Sequence, residues 1–348
     1  MKKEKALYFF MGKSSFVKKD ADIFSEFYNL KTFNFEFGDK WKIPFQLIHQ
    51  FFFILANVLS SRICFIQLSG FHSVLPTLIF KLFGKKSIII AAGTDCHSFP
   101  SIGYGNYQRL FLGITTKLSF KLCTWIVPKH HTLWHTKYTY DLSDFPEQGI
   151  AYFNKGIKKP HVIIENGFDT SKFKKSSIST PNSFITISGL LDRVSQQKLK
   201  GIDLIIEAAK AFPNYNFTIV GAKKDYFSVL PSNIQLLPIT SNEELPGILS
   251  QHQYYLQLSM AEGFPNALCE AMLCECIPIG SNVFSIPEII GETGYILKTR
   301  KIDDLIDLIR SLNTNASLKN GTSARERIVK NYSIEKRKEK FRALFEKL

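Results

Sequence analysis

Short runs of consecutive apolar residues recur along this chain, each closed by a turn and most followed by a stretch of helical length. This pattern most constrains the fold. Residues 6–11 (ALYFFM), 62–68 (RICFIQL), 86–92 (KSIIIAA) and 123–128 (CTWIVP) make a first set. Residues 184–189 (FITISG), 217–221 (FTIVG), 233–238 (NIQLLP), 254–258, 277–280 and 295–297 make a second. A strand that is apolar throughout is buried on both faces, the habit of a parallel sheet covered by helices. Helices are predicted over 44–60, 73–83, 104–123, 202–212, 242–251 and 302–312. Such alternation gives an α/β architecture. The expected fold is two Rossmann-like domains, each built on a doubly wound parallel sheet. The chain of 348 residues suits two domains of ordinary size. Their boundary is set at the sharp Asn166-Gly167 turn, giving 1–167 and 168–331, with a polar linker at 170–182. The segment 21–40 reads as irregular, His161–Ile164 as a short strand, and 190–201 as a loop.

The charge balance is strongly basic, with 44 Lys and Arg against 30 Asp and Glu, a net of +14. The excess leans toward the first half, where residues 1–170 hold 21 against 12. This favours anionic partners: a phosphorylated substrate or an anionic membrane face. No aromatic-basic nucleic-acid motif occurs, so nucleic acid is not an expected partner. The six cysteines form no C-x-x-C pair and read as buried reduced thiols, which with the lack of a secretory h-region points to the cytoplasm. The apolar stretch 43–59 is broken by Gln46, His49, Gln50 and Asn57 and is not a membrane span. His130, His131 and His135 include an i, i+4 pair but lack the Glu of a zincin, so no metal is expected. Gly12-Lys13 follows the first strand without the spacing of a Walker motif.

The chemistry concentrates in residues 258–300. Glu262-Gly-Phe-Pro-Asn-Ala-Leu-Cys-Glu270 sets two carboxylates eight residues apart around a short loop and a helix start. Asn266 is the expected N-cap of a helix running from Ala267 to Cys274. Its first N–H groups and positive dipole end suit a phosphate in the loop of Gly263, Phe264, Pro265, Asn266 and Ala267. Gly263 permits close backbone approach. Glu262 can accept hydrogen bonds from sugar hydroxyls, and Glu270 can chelate a vicinal diol such as ribose.

This stretch resembles the donor-binding segment of the retaining glycosyltransferases of family 4, which have the GT-B fold. The matching residues include Ser259, Glu262, Gly263, Phe264, Glu270, Ala271, Met272, Pro278 and the run Ile286-Pro-Glu-Ile-Ile-Gly291. Glu275-Cys276 departs from the pattern, which has a Gly there. Asn166-Gly167-Phe168-Asp169 is similar to the family's interdomain junction, and 332–348 to its C-terminal helix, which crosses back onto the first domain. The resemblance implies that the two domains face across a cleft. It also implies a nucleotide-sugar donor, a glycan or lipid-linked acceptor, no cofactor and no metal. It implies that Lys200 grips the donor diphosphate, with Arg193 the nearest candidate for the usual Arg, whose slot holds Leu190. It places Gly12 and Lys13 near the diphosphate, and Leu237 and Ile239 near the base. Asp95 and His97 fall at the carboxyl end of a strand, where an acceptor-side catalytic group belongs, although this chain reads Ala92-Gly93-Thr94-Asp95 where members often carry H-G-[ST]-D. The basic, aromatic first half suits a lipid-linked acceptor at the inner membrane face in cell-surface polysaccharide or lipopolysaccharide assembly. The same architecture also serves nucleotide-sugar 2-epimerases and would serve a binding module without catalysis.

Overall fold

A computed structural model describes residues 3–12, 14–36, 38, 40–189, 191–312 and 319–348 (for Lys40, its backbone). The first domain is laid out as β1 (Lys5–Met11), α1 (Ser15–Phe27), β2 (Asn29–Phe35), α2 (Ile43–Val58), β3 (Ser61–Gln67), α3 (Phe71–Leu82), β4 (Lys86–Ala91), α4 (Leu110–Leu122) and β5 (Trp125–Pro128). A hairpin of β6 (Thr136–Lys137) and β7 (Glu147–Gln148) and the short α5 (Ile150–Phe153) follow. The second domain holds β8 (Thr180–Ile187), α6 (Val194–Leu199), α7 (Ile202–Ala211), β9 (Asn216–Val220), β10 (Ile234–Leu237), α8 (Leu245–Ser250), β11 (His252–Gln257), α9 (Asn266–Leu273), β12 (Ile277–Ser281), α10 (Ile286–Ile290), β13 (Tyr295–Leu297), α11 (Ile302–Ser311) and α12 (Gly321–Asn331). The terminal α13 spans Ile334–Phe345.

Both main sheets are parallel. The first runs β2-β1-β3-β4-β5 and the second β10-β9-β8-β11-β12-β13. The order reverses between β1 and β3 in one and between β8 and β11 in the other. Ligand crevices of doubly wound sheets open at the carboxyl ends of such strand pairs. Alternate residues of β1 serve opposite faces. Leu7 and Phe9 pack toward α2, α3 and α4, while Ala6, Tyr8 and Phe10 pack toward α1 and α13. The expected double winding is therefore present, and one covering helix comes from the far end of the chain.

Several local expectations differ from the structure. Residues 21–35 are regular rather than irregular, forming the end of α1 and β2. Val17, Asp20, Ile23 and Phe24 form the buried stripe of α1, and β2 pairs with β1 along its whole length. This edge strand is half exposed, so its polar residues hide the apolar signal. His161–Ile164 runs beside β5 but makes only one bridge, His161 to Ile126. The Val162 and Ile164 N–H groups donate to the Ile126 and Pro128 carbonyls, but Pro128 has no N–H to return, so the ladder stops. The helix expected from 104 starts at Leu110, and α6 occupies part of the expected loop 190–201.

The two domains meet closely. Phe284, after β12, sits against His97 (ring centroids 4.1 Å apart), Phe99 (6.2 Å) and Tyr138 (6.0 Å) of the first domain. Arg300 donates its backbone N–H to the Tyr140 carbonyl at 2.9 Å and its guanidinium to Asp203 at 2.5 Å. At the junction, Arg337 of α13 donates Nε and Nη2 to Asp20 Oδ1 at 3.0 and 2.7 Å, with both side chains 2% exposed. It also donates to the carbonyls of Ile164 and Glu165. A charge pair this dry is expensive to break from one side. Arg337→Met should lower stability by about 3–5 kcal/mol, measured by chemical denaturation, and Asp20→Asn added to it should recover part of that loss.

Candidate active site

The β8/β11 crevice is where the expected site residues gather. Lys200 follows α6 and Glu262 follows β11, and their side chains meet at 2.6 Å. The turn that brings Lys200 there depends on Gly201, whose φ is +69° and where a Cβ would stand 2.3 Å from the Leu258 carbonyl oxygen. The Met260 N–H donates to the Leu199 carbonyl at 2.8 Å and ties the two exits together. Glu262 Oε1 accepts from Lys200 Nζ, from Ser259 Oγ at 2.8 Å and from Gln257 Nε2 at 3.1 Å. Three donors hold that one oxygen, while Oε2 has no partner among the described residues. The carboxylate is thus fixed in orientation with one oxygen available to a ligand hydroxyl.

Glu270, on α9, is nearly buried with no hydrogen bond to its carboxylate among the described residues. Burial pushes its pKa up, while Lys19 and Lys172 pull it down. Lys19, from α1 of the other domain, holds Nζ 4.0 Å from Glu270 Oε1 and 5.0 Å from the centre of the Phe168 ring. A desolvated carboxylate with open lone pairs is suited to a pair of neighbouring hydroxyls.

Pro265, extended at φ −71° and ψ 109°, takes the N-cap of α9, and no side chain caps the first turn. Asn266 is the first helical residue rather than the expected cap. Its Oδ1 is taken up by Asn166 Nδ2, 2.8 Å away at the domain junction. Phe264 is packed rather than open, edge-on to Tyr332 at 5.2 Å. Pro265 is buried and Ala267 packs on the core. Gly263 is required by the other domain. A Cβ there would lie 1.6 Å from the Ala92 carbonyl oxygen.

The remaining expected residues are spread around this centre. Gly12 closes β1 and donates its N–H to Asn34 Oδ1 at 3.0 Å, while Lys13 lies outside the described residues. Arg193 is exposed and forms an ion pair with Asp192 at 3.6 Å. Leu237 accepts from the N–H groups of Gly221 and Ala222, and Ile239 is 80% exposed at the same end of the sheet. Asp95 accepts from the backbone N–H groups of Ser69 (2.9 Å), Ala92 (3.1 Å) and Gly93 (3.1 Å), so it shapes the loop it sits in. His97 is fully buried, and neither ring nitrogen has a hydrogen-bond partner among the described residues. Burial lowers its pKa to about 3, so its imidazole is neutral near pH 7. Sequence reasoning missed Lys19, Gln257 and Asn166 as parts of this cleft. A lysine on an ordinary amphipathic helix and a glutamine ending a strand carry no local signal.

The first domain's own crevice has a volume of about 440 Å³ and is lined by Met11, Phe35, Phe71, Asp95 and Arg109, among others. It adjoins, through Phe71, an apolar groove bordered by Ile48, Phe51, Phe52 and Phe111.

Residues 170–332 match the family described as Glycosyl transferases group 1. That match spans most of the second domain. Over 166 residues the chain is 28% identical to a GDP-mannose:cellobiosyl-diphosphopolyprenol alpha-mannosyltransferase of Xanthomonas oryzae, covering 44% of this chain and 43% of that protein. Over 140 residues it is 32% identical to the capsular polysaccharide biosynthesis glycosyltransferase CapH of Staphylococcus aureus, covering 37% and 38%. The chain thus aligns with less than half the length of these curated relatives. The whole structure is similar to sucrose-phosphate synthase of Thermosynechococcus elongatus, with a TM-score of 0.73, 12% identity and 99% of each chain covered. It is also similar to the apo form of the lipopolysaccharide outer core galactosyltransferase WaaB, with a TM-score of 0.68, 14% identity and coverage of 99% and 100%. The fold is therefore GT-B.

The raised Glu270 pKa makes a stability prediction. A carboxyl whose folded pKa lies above its unfolded value costs stability when ionised, and the cost fades as pH falls through the folded pKa. Glu270→Gln should raise the melting temperature of the ligand-free chain at neutral pH. The gain should shrink as the pH is lowered into the carboxylate range, which a pH series of melting curves will check.

Proposed function

We propose that this chain is a retaining glycosyltransferase of family 4. It would transfer a sugar from a nucleotide-diphosphate donor to a glycan or lipid-linked acceptor in cell-surface polysaccharide or lipopolysaccharide biosynthesis. The observation that carries the reading is the Lys200–Glu262 contact together with the Glu270 carboxylate, which faces Lys19 at 4.0 Å and accepts no hydrogen bond among the described residues, at the β8/β11 crevice. In this reading Glu270 accepts the ribose hydroxyls and Glu262 Oε2 orients the sugar. Lys200 and the uncapped start of α9 face the diphosphate. As the anomeric C–O bond to the diphosphate breaks, negative charge grows on the leaving oxygens and an oxocarbenium-like centre forms. The acceptor hydroxyl attacks from the same face, and its proton passes to the departing phosphate oxygen. Positive charge from Lys200 and the helix end balances the leaving group, so the reaction is metal-independent. Asp95 supports this by fixing the loop opposite, and neutral His97 adds no charge there.

The donor should reveal itself by thermal shift, since a ligand bound only to the native state stabilises it by RT ln(1 + [L]/Kd). One nucleotide class of sugar donor should raise the melting temperature. Glu270→Gln should weaken that donor about 10- to 100-fold, and Lys200→Ala should lower turnover about 10²- to 10³-fold. Donor binding indifferent to Glu270→Gln, together with turnover unchanged in Lys200→Ala, would sink the reading.

A lipid-linked acceptor at the inner membrane face is supported by the outer surface of α2, α3 and α4. Phe45, Phe52, Leu82, Leu110 and Phe111 are each more than 60% exposed there. Lys81, Lys117 and Lys121 belong to α3 and α4 of the same surface. An apolar face with basic neighbours suits the interface of an anionic bilayer. No described helix is long and apolar enough to cross a membrane. The chain should co-sediment with phosphatidylglycerol vesicles, and Phe52→Glu with Phe111→Glu should release it; equal pelleting of both proteins would count against this surface.

A further inference from the structure

The loop leaving β5 carries two consecutive histidines, and α10 of the other domain presents Glu288 to them. Nε2 of His130, Nε2 of His131 and a Glu288 carboxylate oxygen all lie within 4.8 Å of one another. The oxygen concerned, Oε2, stands 2.8 Å from His131 and 3.2 Å from His130. Two imidazoles thus converge on a single oxygen. His131 makes the hydrogen bond. Nε2 of His130, on a residue 1% exposed, points at the same oxygen without a hydrogen-bond partner among the described residues. A cation between the three atoms would give each of them a bond.

We propose that His130, His131 and Glu288 form a site for a divalent transition metal that ties the two domains together beside the cleft. Two imidazole nitrogens and a carboxylate oxygen suit zinc, cobalt, nickel or copper, whereas magnesium and calcium prefer all-oxygen shells. Bonds of about 2.0–2.2 Å in tetrahedral geometry set ligand atoms roughly 3.3–3.6 Å apart. The His130–Glu288 pair, at 3.2 Å, is close to that spacing, and the His131–Glu288 pair, at 2.8 Å, opens to it by rotation of two half-exposed side chains. The supporting shell is in place. Nδ1 of His130 accepts the Thr132 backbone N–H at 3.4 Å and lies 2.8 Å from the Thr132 hydroxyl, which fixes the ring with Nε2 turned to Glu288. Arg327 anchors α10 by donating Nε to the Ile289 carbonyl at 2.8 Å and Nη2 to the Glu288 carbonyl at 2.6 Å. The side chains of His131 and Glu288 are 61% and 53% exposed, so a metal enters from solvent and water completes its shell.

The ligands were invisible as a set in the sequence, because Glu288 lies 157 residues beyond His131. None of its three ligands is a residue given a role in the proposed chemistry, although the His130 ring lies 6.4 Å from that of Phe264. Its ligands come from both domains, so a bound metal holds them in their present arrangement and restrains opening of the cleft.

The test uses the full chain, stripped with chelator and dialysed. It is titrated with zinc chloride by calorimetry and with cobalt chloride by visible absorbance. One zinc per chain should bind, and cobalt should give the intense visible bands of a tetrahedral site. His131→Ala and Glu288→Gln should each weaken binding at least about tenfold. Both residues are half exposed, and melting curves without metal confirm that the variants are folded. His135→Ala, whose imidazole pairs instead with Glu147 at 2.8 Å, should bind like the parent. The proposal is overturned by no saturable uptake, by uptake undiminished in both variants, or by equal loss in His135→Ala.

Discussion

The backbone at Gly263 presses on the Ala92 carbonyl, and the rest of the cleft depends on that contact. The loop after β11 cannot carry a side chain at this point, because a Cβ would fall 1.6 Å from the Ala92 oxygen. Two parallel sheets therefore meet with their carboxyl ends face to face. The loop holding Glu262 and the start of α9 is closed over by the loop holding Asp95. Phe284 fills the space beside it, packed at a tilt against His97 and near Phe99 and Tyr138. Apolar packing and backbone contact together set the distance between the domains, and hence the shape of the space between their crevices.

Within that frame the charges divide by role. Asp20 and Arg337 are dry, mutually paired and structural, binding α13 to α1. Lys200 and Glu262 are paired but placed at a crevice, with one carboxylate oxygen left open. Glu270 is nearly buried, with Lys19 the nearest cation at 4.0 Å. A fold gains nothing in stability by burying a carboxylate without hydrogen bonds. Local cost of this kind concentrates where a protein binds or reacts. Glu270 is thus the feature of the cleft that packing alone explains least.

The second domain was the more legible half. Its strands are short, apolar and regularly spaced, and Glu262, Gly263 and Glu270 sit close together in sequence because one loop and one helix carry them. The first domain was harder to read. Strand β2 is an edge with mixed polarity, and α1 lies in a stretch whose aromatic residues obscure its period. Asn266 illustrates a different limit. Asn before an apolar helical run is a sound N-cap signal, yet its side chain is claimed by Asn166 from the domain junction. A local rule yielded to a contact a hundred residues away.

The sequence by itself determined the two parallel sheets, because uninterrupted apolar strands alternating with helices have few other ways to bury their surfaces. It also determined which loop carries the paired glutamates. Only the tertiary structure decided which partners those groups meet. Lys200 reaches Glu262 because Gly201 can turn under Leu258, Lys19 arrives at Glu270 from the opposite domain, and Glu288 lands beside His130 and His131. Local periodicity encodes elements and the faces they bury. Contacts between domains depend on the angle and distance at which two finished cores come together, and no short stretch of chain records that.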